Sequence, residues 1–301
     1  MRICSLLPAA TEIAYALGLG KHVVGVTHEC DYPQEARARP IVVRSALDPE
    51  GMTSAQIDRA VSRARRSLYR IDFDAFRMIS PDLILTQELC DVCAVDRTEV
   101  VEACTLLARE PTIISLGAVS LGSVLADIER VGKATGTDIR ARELTWKLRD
   151  RIERVSRRAA GSRSKPRVAC LEWLEPLYYG GHWIPEMIEL AGGKVGFGRV
   201  GEPSARLEWD ALVDFAPEIL LLMPCGFDAE RTKRELHLLT TRAGWSELPA
   251  VKAGRVFAVD ARSYFSRPGP RLADGLELMA QLIHPEFFPE PVVASAAFKI
   301  G

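Results

Sequence analysis

The stretch DIRARELTWKLRDRIERVSRRAAGSRSKP, residues 138–166, separates two similar patterns of strands and helices. Its apolar residues recur at three- to five-residue spacing with charges between them, which predicts an amphipathic helix. A single helix of about 23 residues would be roughly 34 Å long, and it would end at the breaker cluster GSRSKP. The stretch therefore predicts a stiff connecting helix. The recurring apolar residues are Ile139, Leu144, Leu148, Ile152 and Val155.

Short apolar runs alternate with helical patterns on both sides of this helix. Before it, strands are predicted at residues 2–6, 23–27, 83–86 and 112–115, and helices at 11–19, 54–65, 73–79 and 97–108. After it, strands are predicted at 167–171, 219–223 and 256–259, and helices at 185–190, 209–215, 231–240 and 270–282. This rhythm predicts mainly parallel sheets covered by helices. The expected fold is α/β, with Rossmann-like lobes at 1–137 and 166–301 joined by a backbone helix at 138–165.

Composition and charge narrow the classes of function. The chain has 301 residues, 48% of them hydrophobic, and 39 basic residues against 40 acidic ones. Without a dense basic stripe it lacks the electrostatic footprint of a nucleic-acid-binding protein. No stretch approaches the roughly 18 uncharged apolar residues of a membrane helix. The N-terminal residues do not form an uninterrupted apolar signal, and the seven cysteines are an odd number, so a cytoplasmic protein with reduced thiols is expected.

The predicted strands are followed by segments that contain residue types which a simple connecting loop would not require. The carboxyl edge of a parallel sheet is where ligands bind, because loops and helix N-termini converge there. These segments therefore predict a ligand cleft between the two lobes. They are SLLPAATE (5–12), HECDYP (28–33), TQELCDVCAV (86–95), SLGAVS (115–120), EWLEPLYYGGHWIPE (172–186), MPCGF (223–227) and DARSYFSRPGPR (260–271).

Four longer stretches carry a resemblance to a known family. SLLPAATEIAYALGLGKHVVGVTHECDYP (5–33), LEWDALVDFAPEILLL (207–222) and SRPGPRLADGLELMAQLIHP (266–285) resemble the helical-backbone, class III substrate-binding proteins of ABC transporters. YYGGHWIPEMIELAGG (178–193) is most similar to the cobalamin-binding members. The resemblance implies non-catalytic capture of a corrinoid and, for an exported protein, an ABC permease as partner. The chain departs from the exported cobalamin binders in its start and in TQELCDVCAV, which replaces a shorter loop without cysteine.

The pair Cys90 and Cys93 in that segment forms a C-x-x-C motif. Three interpretations stay open, namely metal ligation, a redox pair, and loop packing or ligand contact. A structural zinc site would need two further ligands, which Cys30, His28 or Cys225 would have to supply in space. Imidazole nitrogens are frequent metal ligands. The predicted metal ligands are Cys90, Cys93, His28 and His182.

The aromatic side chains of the predicted cleft can pack against a large flat macrocycle, since such rings supply contact area at low entropic cost. Arg267 can meet an anionic or amide group of the ligand. The predicted ligand-binding residues are His28, Glu29, Asp31, Tyr32, Cys90, Cys93, Glu172, Trp173, Tyr178, His182, Trp183, Cys225, Tyr264, Phe265 and Arg267.

The sequence leaves three functions open. The favoured one is a non-enzymatic protein that binds cobalamin or a related corrinoid, with a metal ion as a further candidate ligand. The second is a cytoplasmic protein or enzyme that handles a metal or cofactor with the Cys- and His-rich segments. The third is a binder of heme or an iron chelate with the same fold. No catalytic triad, Walker loop or dinucleotide motif is present, because the glycine-rich GGKVGFG at 192–198 follows a helix and not a strand.

Overall fold

The computed structural model describes residues 1–64, 68–87, 95 and 97–300. The chain divides into two compact units. Unit 1 comprises Met1–Met52, Arg59–Ala118 and Gly122–Trp146, and unit 2 comprises Thr53–Asp58, Val119–Leu121 and Lys147–Gly301. Both units combine a β-sheet with helices, so the predicted α/β class is confirmed. In the part of the chain that the structure describes, no helix has the length and apolar character required to span a membrane.

Unit 1 is built around a six-stranded sheet with the order β4-β3-β2-β1-β5-β6. Only β4 is antiparallel, and it forms one edge. The strands β1 and β5 are buried along almost their whole length, as expected for parallel strands covered on both faces. The elements up to the connecting helix are β1 (Ile3–Ser5), α1 (Pro8–Ala16), β2 (Val23–Thr27), β3 (Ile41–Ser45), α2 (Ser54–Arg63), β4 (Tyr69–Ile71), α3 (Phe73–Ile79), β5 (Leu83–Gln87), α4 (Arg97–Thr105), β6 (Thr112–Leu116) and α5 (Leu121–Thr135).

The ends of the short helices are set by local chemistry. Pro8 begins α1, where its missing N–H costs nothing and its fixed φ fits the first turn. The side chain of Asp72 accepts a hydrogen bond from the Ala75 amide at the start of α3, and Ser80 ends this helix in the left-handed conformation, at φ 37°. Between these two caps, α3 buries Phe76 and Ile79 in the core of unit 1.

The connecting helix α6 runs without interruption over Asp138–Ala159. Its 22 residues correspond to a length of about 33 Å, so the helix predicted from the apolar spacing is confirmed. In unit 1 the guanidinium of Arg140 donates to the Leu17 carbonyl at 3.2 Å. In unit 2 Arg151 donates to Glu277 through Nε at 2.9 Å and to Asp274 through Nη2.

Unit 2 contains a second sheet with the order β10-β8-β7-β11-β12-β13, and β9 also pairs with β7. The central strands β7, β11 and β12 are parallel, whereas β8, β10 and β13 run antiparallel to their neighbours. Its elements are β7 (Arg167–Leu174), β8 (Leu177–Tyr179), α7 (Ile184–Leu190), β9 (Lys194–Val195), β10 (Ala205–Arg206), α8 (Trp209–Phe215), β11 (Ile219–Leu222), α9 (Ala229–Arg234), α10 (His237–Thr240), α11 (Pro249–Lys252), β12 (Val256–Val259), α12 (Ala261–Tyr264), α13 (Leu272–Ile283) and β13 (Ala297–Ile300).

Two expectations about unit 2 were wrong. The helix expected at 231–240 is two short helices, α9 and α10, because Glu235 ends the first of them with its amide bonded to the Thr232 carbonyl. The segment after the predicted strand 167–171 is not a loop. Strand β7 continues to Leu174 and turns back into β8 through a hairpin, so Glu172, Trp173 and Tyr178 lie in paired strands.

Candidate functional site

In unit 1 the candidate ligand residues lie at the carboxyl edge of the sheet. Because β1, β2, β5 and β6 are parallel, the segments that follow them leave from the same edge. The segment after β2 carries four of the predicted ligand residues, His28, Glu29, Asp31 and Tyr32. The predicted residues Cys90 and Cys93 lie outside the described residues, so their proposed roles stay predictions.

The side chains of His28 and Glu29 meet Tyr69 of the edge strand β4. The His28 Nδ1 lies 3.3 Å from the Val43 carbonyl oxygen, and its ring centroid lies 6.0 Å from that of Tyr69. The Tyr69 hydroxyl donates to Glu29 Oε1 at 3.1 Å. Both His28 and Tyr32 are exposed. The edge of unit 1 therefore presents an imidazole and a phenol to solvent.

Cys30 has a structural environment although it belongs to the same segment. It is buried, and its sulfur lies 3.1 Å from Thr11 Oγ1 and 3.2 Å from Thr27 Oγ1. Thr11 Oγ1 also donates to Ser5 Oγ at 2.8 Å. These contacts join the segment after β2 to the start of α1. Reduced cysteine often serves as a small buried residue of this kind.

The segment after β6 is held by a buried carboxylate that the sequence reading missed. Asp127 of α5 accepts hydrogen bonds from the Gly117 amide at 3.0 Å and from the Arg130 guanidinium at 2.7 Å. Burial raises the pKa of Asp127, although its hydrogen bonds and the charge of Arg130 act in the opposite direction. The i, i+3 pair Asp127–Arg130 is visible in the sequence, but only the fold shows that it faces a ligand-edge segment.

In unit 2 the β7–β8 hairpin brings three predicted residues together with residues that were not predicted. Ser204 Oγ donates to Glu172 Oε2 at 2.6 Å and accepts from the Gly181 amide at 3.1 Å. The Trp173 ring packs edge-on against Phe227, with centroids 5.3 Å apart. Tyr178 accepts a hydrogen bond from Arg206 Nε at 3.2 Å.

The indole Nε1 of Trp173 is buried, and none of the described residues accepts its hydrogen. An unpaired buried donor is uncommon, because leaving it without a partner costs the desolvation free energy of the group. The guanidinium of Arg231 lies over the ring of Phe227, 3.9 Å from the ring centroid. Trp173, Phe227 and Arg231 thus form one aromatic and cationic cluster beside the ends of β7 and β11.

The turn between β8 and α7 contains the predicted residue His182 in an unusual conformation. Its φ is 53°, a left-handed value that is costly for a residue with a side chain. The His182 amide donates a hydrogen bond to the Glu202 carbonyl. The Gly201 amide donates one to the His182 carbonyl at 3.0 Å. Burial lowers the pKa of His182, which favours the neutral imidazole. Its Nδ1 is buried without a hydrogen-bond partner among the described residues.

Two predicted contact residues next to this turn are part of the interior. Trp183 is 5% exposed and Phe265 is 3% exposed. The Trp183 indole donates to the Phe265 carbonyl at 2.8 Å and joins the turn to the segment after α12. Arg267 is also buried. Their contribution to ligand binding stays a prediction, whereas their packing positions the turn and the segment 260–271.

Cys225 lies where three of the predicted segments of unit 2 meet. Its amide donates to the Glu172 carbonyl at 3.0 Å, and the next residue, Gly226, donates to Ser266 Oγ at 3.3 Å. The Cys225 side chain is partly exposed, as is Tyr264 of α12. Unit 2 therefore gathers Glu172, Trp173, Cys225 and the neighbours of Tyr264 at one edge.

The described residues contain no group of three or more His, Cys, Asp or Glu side chains placed to hold a metal ion. A complete protein-built metal centre from His28 or His182 therefore finds no support in the described parts of the chain. What the edges do offer are partly exposed aromatic rings, single imidazoles and hydrogen-bonding groups. Such surfaces suit a bulky organic ligand better than a bare ion.

Comparison with known proteins agrees with this description. The chain is 27% identical to the uncharacterized ABC transporter substrate-binding lipoprotein YvrC of Bacillus subtilis, over 96% of this chain and 82% of the relative. It is 24% identical to the vitamin B12-binding protein of Vibrio cholerae, over 92% and 86% of the two chains. A periplasmic heme-binding protein of Pseudomonas aeruginosa has the same fold, with a TM-score of 0.74, 18% identity, and coverage of 100% of this chain and 98% of that one.

The lipoprotein relative gives no support to the cytoplasmic location expected from the N-terminal sequence. The family resemblance noted in the sequence is, in contrast, confirmed. Residues 3–263 match the family described as periplasmic binding protein. Since the match covers most of the chain, the protein belongs to the periplasmic binding protein family.

Proposed function

We propose that the protein captures a corrinoid of the cobalamin type and delivers it to an ABC permease. The observation that carries this proposal is the similarity to the vitamin B12-binding protein of Vibrio cholerae, which extends over 92% of the chain. The protein performs no reaction on its ligand. Binding free energy comes from burial of the macrocycle against aromatic side chains, and polar groups at the rim select its orientation.

The aromatic cluster of unit 2 supports a ligand of this chemistry. Trp173 is partly exposed and rests on buried Phe227, so its ring is held in place before a ligand arrives. A preformed aromatic surface loses little conformational entropy on binding. These features make Trp173 the side chain of unit 2 on which we expect affinity to depend most.

Titration calorimetry with cyanocobalamin, hemin and a ferric siderophore tests the proposal. We expect cyanocobalamin to bind most tightly to the wild type. The Trp173→Ala variant should bind it at least about tenfold more weakly, which corresponds to about 1.4 kcal/mol. Trp146→Ala is the matched control, because Trp146 is 66% exposed on α6 and belongs to none of the segments that follow the strands. Tighter binding of hemin or of the siderophore than of cyanocobalamin would refute the corrinoid assignment.

The permease and the compartment are tested separately. Delivery to a permease requires the protein on the side of the membrane from which the ligand enters, whereas a cytoplasmic protein would serve storage or transfer. Fractionation of cells that express the natural gene distinguishes the two cases. Recovery with the membrane or secreted fraction supports delivery to a permease, and recovery only in the cytosol contradicts it.

A further inference from the structure

His28 is held with one ring nitrogen facing the protein. It follows β2 directly, and its Nδ1 lies 3.3 Å from the Val43 carbonyl oxygen. A carbonyl oxygen can only accept a hydrogen bond, so Nδ1 must carry the hydrogen. In the neutral ring the lone pair is then on Nε2. The geometry therefore fixes the tautomer that a metal ligand needs.

The other ring nitrogen remains available. His28 is exposed, and no described residue forms a hydrogen bond with its Nε2. The Tyr69 ring lies beside the imidazole, with ring centroids 6.0 Å apart, and its hydroxyl donates to Glu29 Oε1, which holds Tyr69 in place next to His28. An imidazole that donates through one nitrogen to a carbonyl and exposes the other matches the usual arrangement of metal-binding histidines.

We infer that Nε2 of His28 binds the cobalt of the captured corrinoid as an axial ligand. This inference rests on the proposed function. In the step, the Nε2 lone pair forms a bond to cobalt(III), and the water molecule that occupied the axial position leaves with its own electron pair. No electron is gained or lost, and no proton has to leave Nε2 of the neutral ring, because its hydrogen is on Nδ1.

One protein ligand is enough for this chemistry. The corrin supplies four nitrogen ligands in its plane, so the protein has to provide a single axial donor. Imidazole is a suitable donor for first-row transition metals of intermediate softness. The lack of a cluster of three or more metal-binding side chains in the described residues is therefore compatible with His28 as a ligand.

The test uses two corrinoids that differ in the axial position. Aquacobalamin carries an exchangeable water, whereas cyanocobalamin carries a firmly bound cyanide at the same position. Each is titrated into the full-length wild type and three variants, His28→Ala, His28→Gln and His22→Ala, with absorption spectra and dissociation constants as readouts. His28→Gln retains an amide that can donate to Val43, so it tests ligation if the alanine variant folds poorly.

His22 is the matched control because it directly precedes β2 while His28 directly follows it. Like His28 it is exposed, and its Nδ1 also faces a backbone carbonyl, that of Met1, at 3.1 Å. It therefore presents the same tautomer at the opposite end of the same strand. If a corrinoid bound any exposed histidine, its spectrum and its dissociation constant would change in both His22→Ala and His28→Ala.

We expect the bands of aquacobalamin to move to longer wavelength on binding to the wild type and to His22→Ala, as water is replaced by nitrogen. Both His28 variants should lose this shift, and their preference for aquacobalamin over cyanocobalamin should disappear. A shift that persists without His28, or wild type that binds cyanocobalamin and leaves the aquacobalamin spectrum unchanged, overturns the inference. Failure to bind either corrinoid refutes the proposed function, and the inference with it.

Discussion

Replacing Gly181 with alanine should destabilise unit 2 and disturb the turn that carries His182. A Cβ atom at Gly181 would lie 2.4 Å from the Ser204 amide nitrogen, 2.5 Å from the Pro203 carbonyl carbon and 2.6 Å from the Glu202 carbonyl oxygen. All three are backbone atoms, so no side chain can rotate away to make room. The segment 202–204 has to move, and with it the Ser204 hydroxyl that bonds Glu172.

The size of the effect follows from two opposing contributions. Overpacking of a close contact costs about 1–3 kcal/mol, and the rigid neighbours of Gly181 place it at the upper end of that range. Alanine also reduces the conformational freedom of the unfolded chain, which stabilises by about 0.4–1 kcal/mol. The expected net loss in the free energy of unfolding is about 2 kcal/mol. With a urea slope of about 2 kcal/mol per M, the unfolding midpoint should fall by about 1 M.

Tryptophan fluorescence is the appropriate readout, because four of the five tryptophans belong to unit 2. Gly117→Ala is the control. A Cβ at Gly117 meets no atom within 4 Å, its φ is not left-handed, and it belongs to unit 1. It should leave the fluorescence transition where it is in the wild type. An unchanged midpoint for Gly181→Ala would show that the 202–204 backbone yields without cost, which would refute the reasoning.

Two further predictions concern an ion pair and a titrating side chain. Arg151→Met removes the contacts of α6 with Asp274 and Glu277 and should cost about 1 kcal/mol in the free energy of unfolding at low salt. Arg157→Met, whose pair with Glu153 is exposed on both sides, should cost less than about 0.5 kcal/mol in the same urea titration, and equal losses would contradict this ranking. His182→Asn tests the depressed pKa of the half-buried imidazole. Because the unfolded chain takes up this proton first, the wild type should lose stability relative to the variant as the pH falls below about 6.5, and parallel stability curves from pH 8 to pH 5 would contradict it.

The sequence was most informative where one periodicity continued over many residues. The spacing of apolar residues predicted α6, and the structure ends this helix at Ala159, close to the breaker cluster GSRSKP. Strands of the parallel core were also found, since runs such as 23–27 and 256–259 consist almost entirely of apolar residues. Short edge strands were missed. β10 and β9 have two residues each and pair through tertiary contacts, so no local period marks them.

The residues of the candidate site also differ in how well the sequence predicts them. Sequence patterns identified the exposed His28 and the partly exposed Cys225 at strand ends, because their chemical types are unusual in connecting segments. They did not identify Asp127, Ser204 or Phe227, which support those segments from positions distant in sequence. Nor did they show that Trp183 and Phe265 are buried. An aromatic residue beside a glycine pair has the same appearance in sequence whether it faces a ligand or the core.

The hydrogen bonds that hold the edge segments involve other residues than the exposed side chains of these segments. This difference suggests how one fold can bind different ligands. The hydrogen bonds of Asp127 to Gly117, Ser204 to Gly181 and Trp183 to Phe265 fix the backbone of the edge segments and contribute little chemical identity. The exposed His28 and the partly exposed Trp173 take no part in these three hydrogen bonds. If these side chains contact the ligand as proposed, a change of ligand requires substitutions at exposed positions, whereas loss of a supporting contact should weaken the binding of every ligand. The structure thus separates the exposed side chains that the proposed function assigns to the ligand from the hydrogen bonds that hold the edge segments in place.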